Sequence, residues 1–259
     1  MPIITLTTDF GLEDGYVGTM RGIILSIAPG TTLVDLSHQV PPQDVRAGAF
    51  VLYQAVPFFP RDTIHLVVVD PGVGSQRRAL AVRSSQGTFV APDNGVLSYV
   101  LASTDIHEAF SLTNPAYQLP QVSATFHGRD IFAPAAAHLV KGVSLTELGP
   151  RAINLVRLAL PEPEFTPGGD LIGHVLHIDH FGNLILDVTA GDLAEEVTFE
   201  LTGRRIEGLS RTFADVAPGG LVAYVGSTRD HVEIALRDGH AAQEIGVEVG
   251  EEVLIWGVE

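Results

Sequence analysis

Thr63-Ile64-His65-Leu66-Val67-Val68-Val69-Asp70-Pro71-Gly72-Val73-Gly74-Ser75 decides the fold. An apolar, β-branched run that ends on a carboxylate and a Pro-Gly, Gly-Ser loop reads as a strand covered on both faces. Such a strand belongs in a sheet with helices on either side. The flanking sequence agrees. Upstream, Ile3–Thr7 reads as a strand ending at Thr8-Asp9-Phe10-Gly11, and Val17, Met20, Ile24 and Ile27 recur at helical spacing until Pro29-Gly30. Thr32–Leu36 is a second strand, and Val45, Ala49, Leu52 and Val56 mark a second helix closed by Pro57. Downstream, Ala79–Arg83 and Thr88–Ala91 look like a hairpin, followed by helices over Asn94–Leu101 and Asp130–Lys141. The alternation predicts an α/β domain over 1–160 with a mainly parallel sheet.

Pro161, Pro163, Pro167, Gly168 and Gly169 then punctuate the chain, predicting a linker over 161–169. Beyond it the pattern changes. Ile172–Ile178, Leu184–Val188, Val197–Leu201, Leu221–Val225, Val232–Ala235 and Glu252–Trp256 are short strand-like runs separated by Gly, Asp and Asn. Residues 170–259 therefore read as a smaller all-β, barrel-like domain, with a sandwich as the alternative.

Composition narrows the function. The 259 residues carry 15 basic and 31 acidic side chains, a formal charge of −16, which argues against a duplex nucleic-acid partner or a polybasic membrane contact. Cysteine is absent, so thiolate nucleophiles, iron–sulfur clusters and cysteine zinc sites are excluded. The start, Met1-Pro2-Ile3-Ile4, has no basic region or secretory apolar stretch, and a cytoplasmic location is expected. The single lysine, Lys141, follows Val140, so there is no Gly-Lys phosphate loop.

Several residues are placed to do chemistry. Asp9 follows the first strand, where ligands bind in open α/β sheets; its carboxylate can hold a ribose diol or cap the next turn. Asp14 can pair with an ammonium group or stand solvated. Asp70 follows the central strand, and Arg77 and Arg78 close its loop; an arginine fork can aim that carboxylate or form a purely structural ion pair. His127 lies in a loop, one glycine outside the next helix, and Asp130 reads as that helix's N-cap. His174, His177 and His180 alternate faces of one strand and do not converge on an ion. Asp179-His180-Phe181-Gly182-Asn183 offers a purine a ring and a two-sided amide, and is equally a Gly-Asn turn. Phe213 and Trp256 are either stacking surfaces or core.

Taken together, Thr8-Asp9-Phe10-Gly11, Val69–Gly74, Phe126-His127-Gly128-Arg129-Asp130, Asp179-x-Phe181-Gly182-Asn183 and Phe213-Ala214-Asp215 resemble the S-adenosylmethionine hydrolase (hydroxide adenosyltransferase) family. The fluorinases and chlorinases are related to it. The resemblance runs through both predicted domains. It implies cleavage of S-adenosylmethionine to adenosine and L-methionine by water or hydroxide at ribose C5′. It implies Asp70, Arg77 and His127 as the catalytic set, Asp9 at the ribose diol, and Asp14 and Asp179 near the methionine amine. Phe181 and Phe213 would flank adenine, Asn183 would hydrogen-bond it, and Ser227 or Thr228 would touch methionine. The stretch Gly226–His231 is one residue longer than is usual in the family. The resemblance further implies a homotrimer, with substrate between the N-terminal domain of one subunit and the C-terminal domain of its neighbour. Halide-using relatives carry tyrosine and threonine where this chain has Asp70 and Val73, so hydrolysis is expected over halogenation. No cofactor or metal is expected; S-adenosylmethionine is the substrate. The rival readings are a non-catalytic adenosine or S-adenosylmethionine binder, a halide-dependent adenosyl transferase, and a divalent-metal hydrolase built on Asp9, Asp14 and Asp70.

Overall fold

The computed structural model describes residues 1–227 and 229–258 and divides into two compact units, Met1–Ala159 and Leu160–Glu259. In the first unit β1 (Ile3–Thr8), α1 (Tyr16–Ile27), β2 (Thr32–Ser37), α2 (Val45–Ala55) and β3 (Ile64–Val68) follow the β/α alternation. Next come β4 (Ala79–Ser84), β5 (Gly87–Pro92), α3 (Ser98–Ser103), β6 (Ile106–Ser111) and α4 (Ala133–Val140).

The sheet order is β2-β1-β3-β5-β4-β6. β2, β1, β3 and β5 are parallel, but β4 runs antiparallel to both β5 and β6. The sheet is thus mixed, not mainly parallel. Only Ser85 and Gln86 join β4 to β5, and so short a connection can only reverse the chain. β6, whose outer half is polar, escaped the periodicity reading altogether.

Met20 and Ile24 of α1 and the alanines of α4 pack on Ile4, Leu6, Leu66 and Val68. Ala47 and Leu52 of α2 with Val100 and Leu101 of α3 cover the other face, against Val67, Val69, Val82 and Phe89. Each fully buried Leu, Ile, Val, Met or Phe among them is worth about 1.5–3 kcal/mol. β3 contributes to both cores, which explains its unbroken apolar run. Asp44 caps α2 by accepting the Ala47 N–H at 2.9 Å. Among the described residues no helix is long and apolar enough to cross a membrane.

The second unit holds β7 (Glu164–Phe165), β8 (Leu171–Ile178), β9 (Leu184–Thr189), β10 (Leu193–Leu201), β11 (Arg204–Glu207), β12 (Leu221–Val225), β13 (His231–Leu236), α5 (Ala241–Ile245) and β14 (Glu252–Val258). Their order is β11-β10-β14-β8-β9-β13-β12, antiparallel throughout, with β7 paired to β8. After β11 the Ser210 N–H reaches the Ala223 carbonyl of β12 at 2.8 Å, drawing the two edges together into a nearly closed barrel. Its core includes Val175, Leu186, Phe199, Ile234 and Ile255. Within residues 161–169, Glu164 and Phe165 pair with Ile172 and Leu171, so this Pro/Gly-rich stretch ends in a hairpin turn belonging to the barrel.

Candidate active site

The buried strand β3 delivers Asp70 just beyond its carboxyl end. The loop then doubles back through hydrogen bonds from Val73 N to Asp70 O and from Ser75 N to Gly72 O, each 3.1 Å. This returns Arg77 to the starting carboxylate. Arg77 Nε donates to both Asp70 oxygens, at 2.9 and 3.0 Å, and Nη2 donates to Oδ2 at 2.5 Å. The side chains are only 4% and 10% exposed, so the pair is desolvated and its fork geometry is fixed. The Phe132 ring lies 5.3 Å from the guanidinium carbon. Arg78 turns elsewhere: it pairs with Asp93 and donates to the carbonyls of Ile153 and Asn154.

Arg77 Nη2 also reaches His127 Nδ1, at 2.7 Å. Two loops must approach closely for this contact. Gly74, at φ +78°, allows it: a Cβ there would lie 2.4 Å from the Ala124 carbonyl oxygen. His127 is followed by one turn of π-helix, Gly128–Phe132, leading into α4. Such bulges recur at functional sites because they re-aim side chains. Asp130 is not the N-cap expected from sequence. It is fully buried inside the π turn and accepts from Ser123 N, Ser123 Oγ and Arg129, so it anchors the loop before His127 instead of the helix end. Burial would raise its pKa, but bonds from Arg129 and Ser123 hold it below the usual carboxylate range. His127 is lowered by burial first and by the Arg77 charge second, partly offset by Asp70, Asp130 and the Ser123 backbone.

Asp9 follows β1 and accepts the Gln43 N–H through Oδ2 at 2.8 Å. It does not cap the following helix, whose N-cap is Gly15. Asp14 is exposed in the same loop. Nearby, Phe10, Tyr16 and Phe126 meet at tilted or edge-on angles with centroids 5.3–5.9 Å apart. With Ser123, Thr125 and Arg129 they line a cavity of about 440 Å³. A second cavity of about 350 Å³, lined by Arg61, Asp62, Arg83 and Thr88 among others, opens where β3 and β5 begin and contains none of these residues.

The barrel gathers its own group. Asp179 Oδ1 accepts the N–H groups of Phe181 (2.9 Å) and Asn183 (2.8 Å), and Oδ2 accepts Asn183 Nδ2 at 2.9 Å. The turn therefore holds the Asn183 amide rigid and buried while its Oδ1 stays uncommitted to Asp179. Gly182, at φ +86°, is compulsory, because a Cβ would sit 2.0 Å from His240 Nδ1. Phe181 is left 71% exposed and Phe213 43%, both unusual for phenylalanine. Ser227 is exposed; Thr228 lies outside the described residues. Trp256 stacks under Arg205, 5.0 Å from its guanidinium carbon. His174 pairs with Asp187 at 2.8 Å, and among the described residues no group of His, Asp or Glu is arranged as a metal site.

Three residues in contact with these groups went unread in the sequence. Tyr224 donates to Glu233 Oε2 at 2.5 Å, and Phe213 packs edge-on against Tyr224 at 4.9 Å. Burial raises the Glu233 pKa, opposed by the Tyr224 bond and reinforced by nearby Asp179; burial and Glu233 raise that of Tyr224. The available signal for Glu233 is that it is the one acid inside the apolar run Val232–Leu236. His38 sits behind the Asp9 loop, bonded to Thr8. Nothing in its local sequence signals that, because the contact is made across strands.

Residues 4–149 match the model of the SAM hydroxide adenosyltransferase N-terminal domain, and residues 173–254 that of its C-terminal domain. The chain is 44% identical over 257 residues to an (R)-S-adenosyl-L-methionine hydrolase of Salinispora tropica, covering 98% of this chain and 97% of that one. It is 30% identical over 297 residues to a fluorinase of an Actinoplanes species, covering 98% and 97%. A crystal structure of an uncharacterised conserved protein from Thermotoga maritima superposes with a TM-score of 0.90 at 35% identity, covering 97% and 99%.

Proposed function

The chain belongs to the SAM hydroxide adenosyltransferase family, and from that premise we propose that it splits S-adenosyl-L-methionine into adenosine and L-methionine, with water attacking ribose C5′. The observation that carries the reading is the continuous contact Asp70–Arg77–His127 beyond β3. A reader of nucleosides needs ribose and adenine contacts alone; a desolvated carboxylate braced by an arginine and a histidine serves a proton transfer.

The C5′–S bond breaks with its electron pair staying on sulfur, so the sulfonium leaves as a neutral thioether and needs no acid. The demand falls on the water, which must lie in line with that bond and lose a proton. Positioning contributes on the order of 7–11 kcal/mol in favourable cases, and base assistance about 10²–10⁴-fold. Asp70 receives the proton: its Oδ1 takes only the Nε bond from Arg77, whereas Oδ2 takes two. Arg77 has no acceptor, so His127 Nδ1 must accept, and the ring proton sits on Nε2. His127 is then neutral and acts as a donor that orients, not as the base.

In the same reading Asp9 holds the ribose diol, and Asp14 and Asp179 face the methionine ammonium. Phe181 and Phe213 flank adenine, and Asn183 offers its Oδ1 to the exocyclic amine, with Ser227 or Thr228 against methionine. The exposure of both phenyl rings supports this. No cofactor is called for, since charge disappears at the reacting centre. The active form is a homotrimer with each site shared by neighbouring subunits, and no nucleic acid or membrane takes part.

The test is incubation of S-adenosylmethionine with the protein in ¹⁸O-labelled water. Adenosine and methionine are expected in equal amounts, with the label on the 5′ oxygen and with EDTA without effect. Chloride or fluoride should give little 5′-halo product, because anionic Asp70 repels halide. A halonucleoside as the main product, or no turnover with intact adenosine binding, overturns the proposal.

A further inference from the structure

We infer that His38 is a positioning residue for the ribose-binding carboxylate Asp9, gripping the Thr8–Gly11 turn from both sides. The inference rests on the reading of Asp9 given above. His38 is buried behind the turn, and its Nδ1 lies 2.8 Å from Thr8 Oγ1. Thr8 Oγ1 in turn accepts the Phe10 N–H at 3.3 Å. The His38 carbonyl accepts the Gly11 N–H at 2.8 Å. The residues on either side of Asp9 are thus tied to one histidine.

Donors and acceptors fix the direction of this chain. Asp35 Oδ1 stands 3.0 Å from His38 Nε2, off the line of a straight hydrogen bond, and favours the proton on that nitrogen. Asp35 is itself paired with Arg21. Nδ1 is then an acceptor, the single Thr8 hydroxyl proton goes to it, and the hydroxyl lone pair is left for Phe10 N–H. The opposite tautomer would turn the bare Nε2 lone pair toward the Asp35 carboxylate, two acceptors 3.0 Å apart. A carboxylate that must meet two vicinal hydroxyls has to be held within about half an ångström of its productive pose. Gln43 N fixes only Oδ2 of Asp9. The backbone tilt that sets Oδ1 comes from the turn, hence from His38.

The experiment compares the affinities of adenosine and 2′,3′-dideoxyadenosine, by calorimetry, in the full-length protein. Their ratio isolates the diol. His38→Ala and Thr8→Val are each expected to lower this ratio about tenfold, roughly one charge-assisted hydrogen bond. Dideoxyadenosine affinity and kcat should change little, with KM rising. His38→Asn, whose Oδ1 replaces Nδ1 as acceptor, should recover most of the ratio. Thr8→Val conserves shape and covers the case in which His38→Ala folds poorly. Asp9→Ala runs alongside. If it leaves the ratio unchanged, the ribose reading of Asp9 fails. If it collapses the ratio while both relay variants preserve it, or if those variants weaken both ligands equally, the positioning role is overturned.

Discussion

Arg77 Nη2 donates to His127 Nδ1 across 2.7 Å, although the two residues are fifty positions apart. Because a guanidinium is only a donor, this one contact assigns the histidine tautomer and keeps the ring uncharged beside a cation. It leaves Asp70 as the proton acceptor of the three.

Asp70→Ala is expected to lower kcat by about 100-fold or more, the usual scale of base assistance, while adenosine affinity stays within about twofold. His127→Ala should cost less, since Arg77 still braces Asp70. Arg77→Lys should fall between them, because an ammonium cannot reproduce the fork. Single-turnover rates and adenosine titrations separate these effects. Equal loss of affinity in all three variants argues for a binding protein.

Acid should destabilise the first unit before its carboxylates protonate. Burial lowers His65 to about 4, and burial with the Arg21 charge lowers His38 to about 4, both from 6.5. A histidine whose folded pKa is depressed binds fewer protons folded than unfolded between those values. Its stabilising contribution is complete above pH 6.5 and is lost as pH falls toward 4. His65 is fully buried, bonded to Thr5 and stacked on Phe89, and by itself accounts for about 3 kcal/mol over that interval. Urea midpoints at pH 7 and pH 5 should differ, and His65→Gln should shrink the difference. An unchanged difference contradicts the assignment.

Phe181→Ala and Gly182→Ala are neighbours with opposite expected outcomes. The Phe181 ring is largely in solvent, so its loss should leave the melting temperature nearly unchanged and weaken adenosine by about 0.5–1.5 kcal/mol of ring stacking. Gly182→Ala forces a Cβ onto His240 at a left-handed φ, and should destabilise by about 1–3 kcal/mol. Thermal melts and ligand titrations on both variants check this.

Sharing of the site between subunits is tested by mixing. Asp70→Ala and Asn183→Ala chains, each nearly inactive, are co-refolded in equal amounts. In a closed ring with each site drawn from two chains, about a quarter of the sites are intact and activity returns to that level. If each chain builds its whole site alone, mixing restores nothing.

The local elements and the chemistry they carry were legible along the chain. β3 was legible because a strand feeding two cores is apolar on both faces, and the Asp70 loop because Pro-Gly and Gly-Ser admit few paths. The hairpin of β4 and β5 was legible too, but that β4 also runs antiparallel to β6, which makes the sheet mixed, was not. β6 and β11, short and partly polar, carried no such period. Which of two adjacent arginines meets Asp70, that Asp130 anchors a loop instead of capping a helix, and that His38 stands behind Asp9 came from the fold alone. The physical reason is the same in each case. Periodicity reports the face on which a residue lies, whereas hydrogen-bond partners are chosen across strands and loops, at distances along the chain that no local pattern encodes.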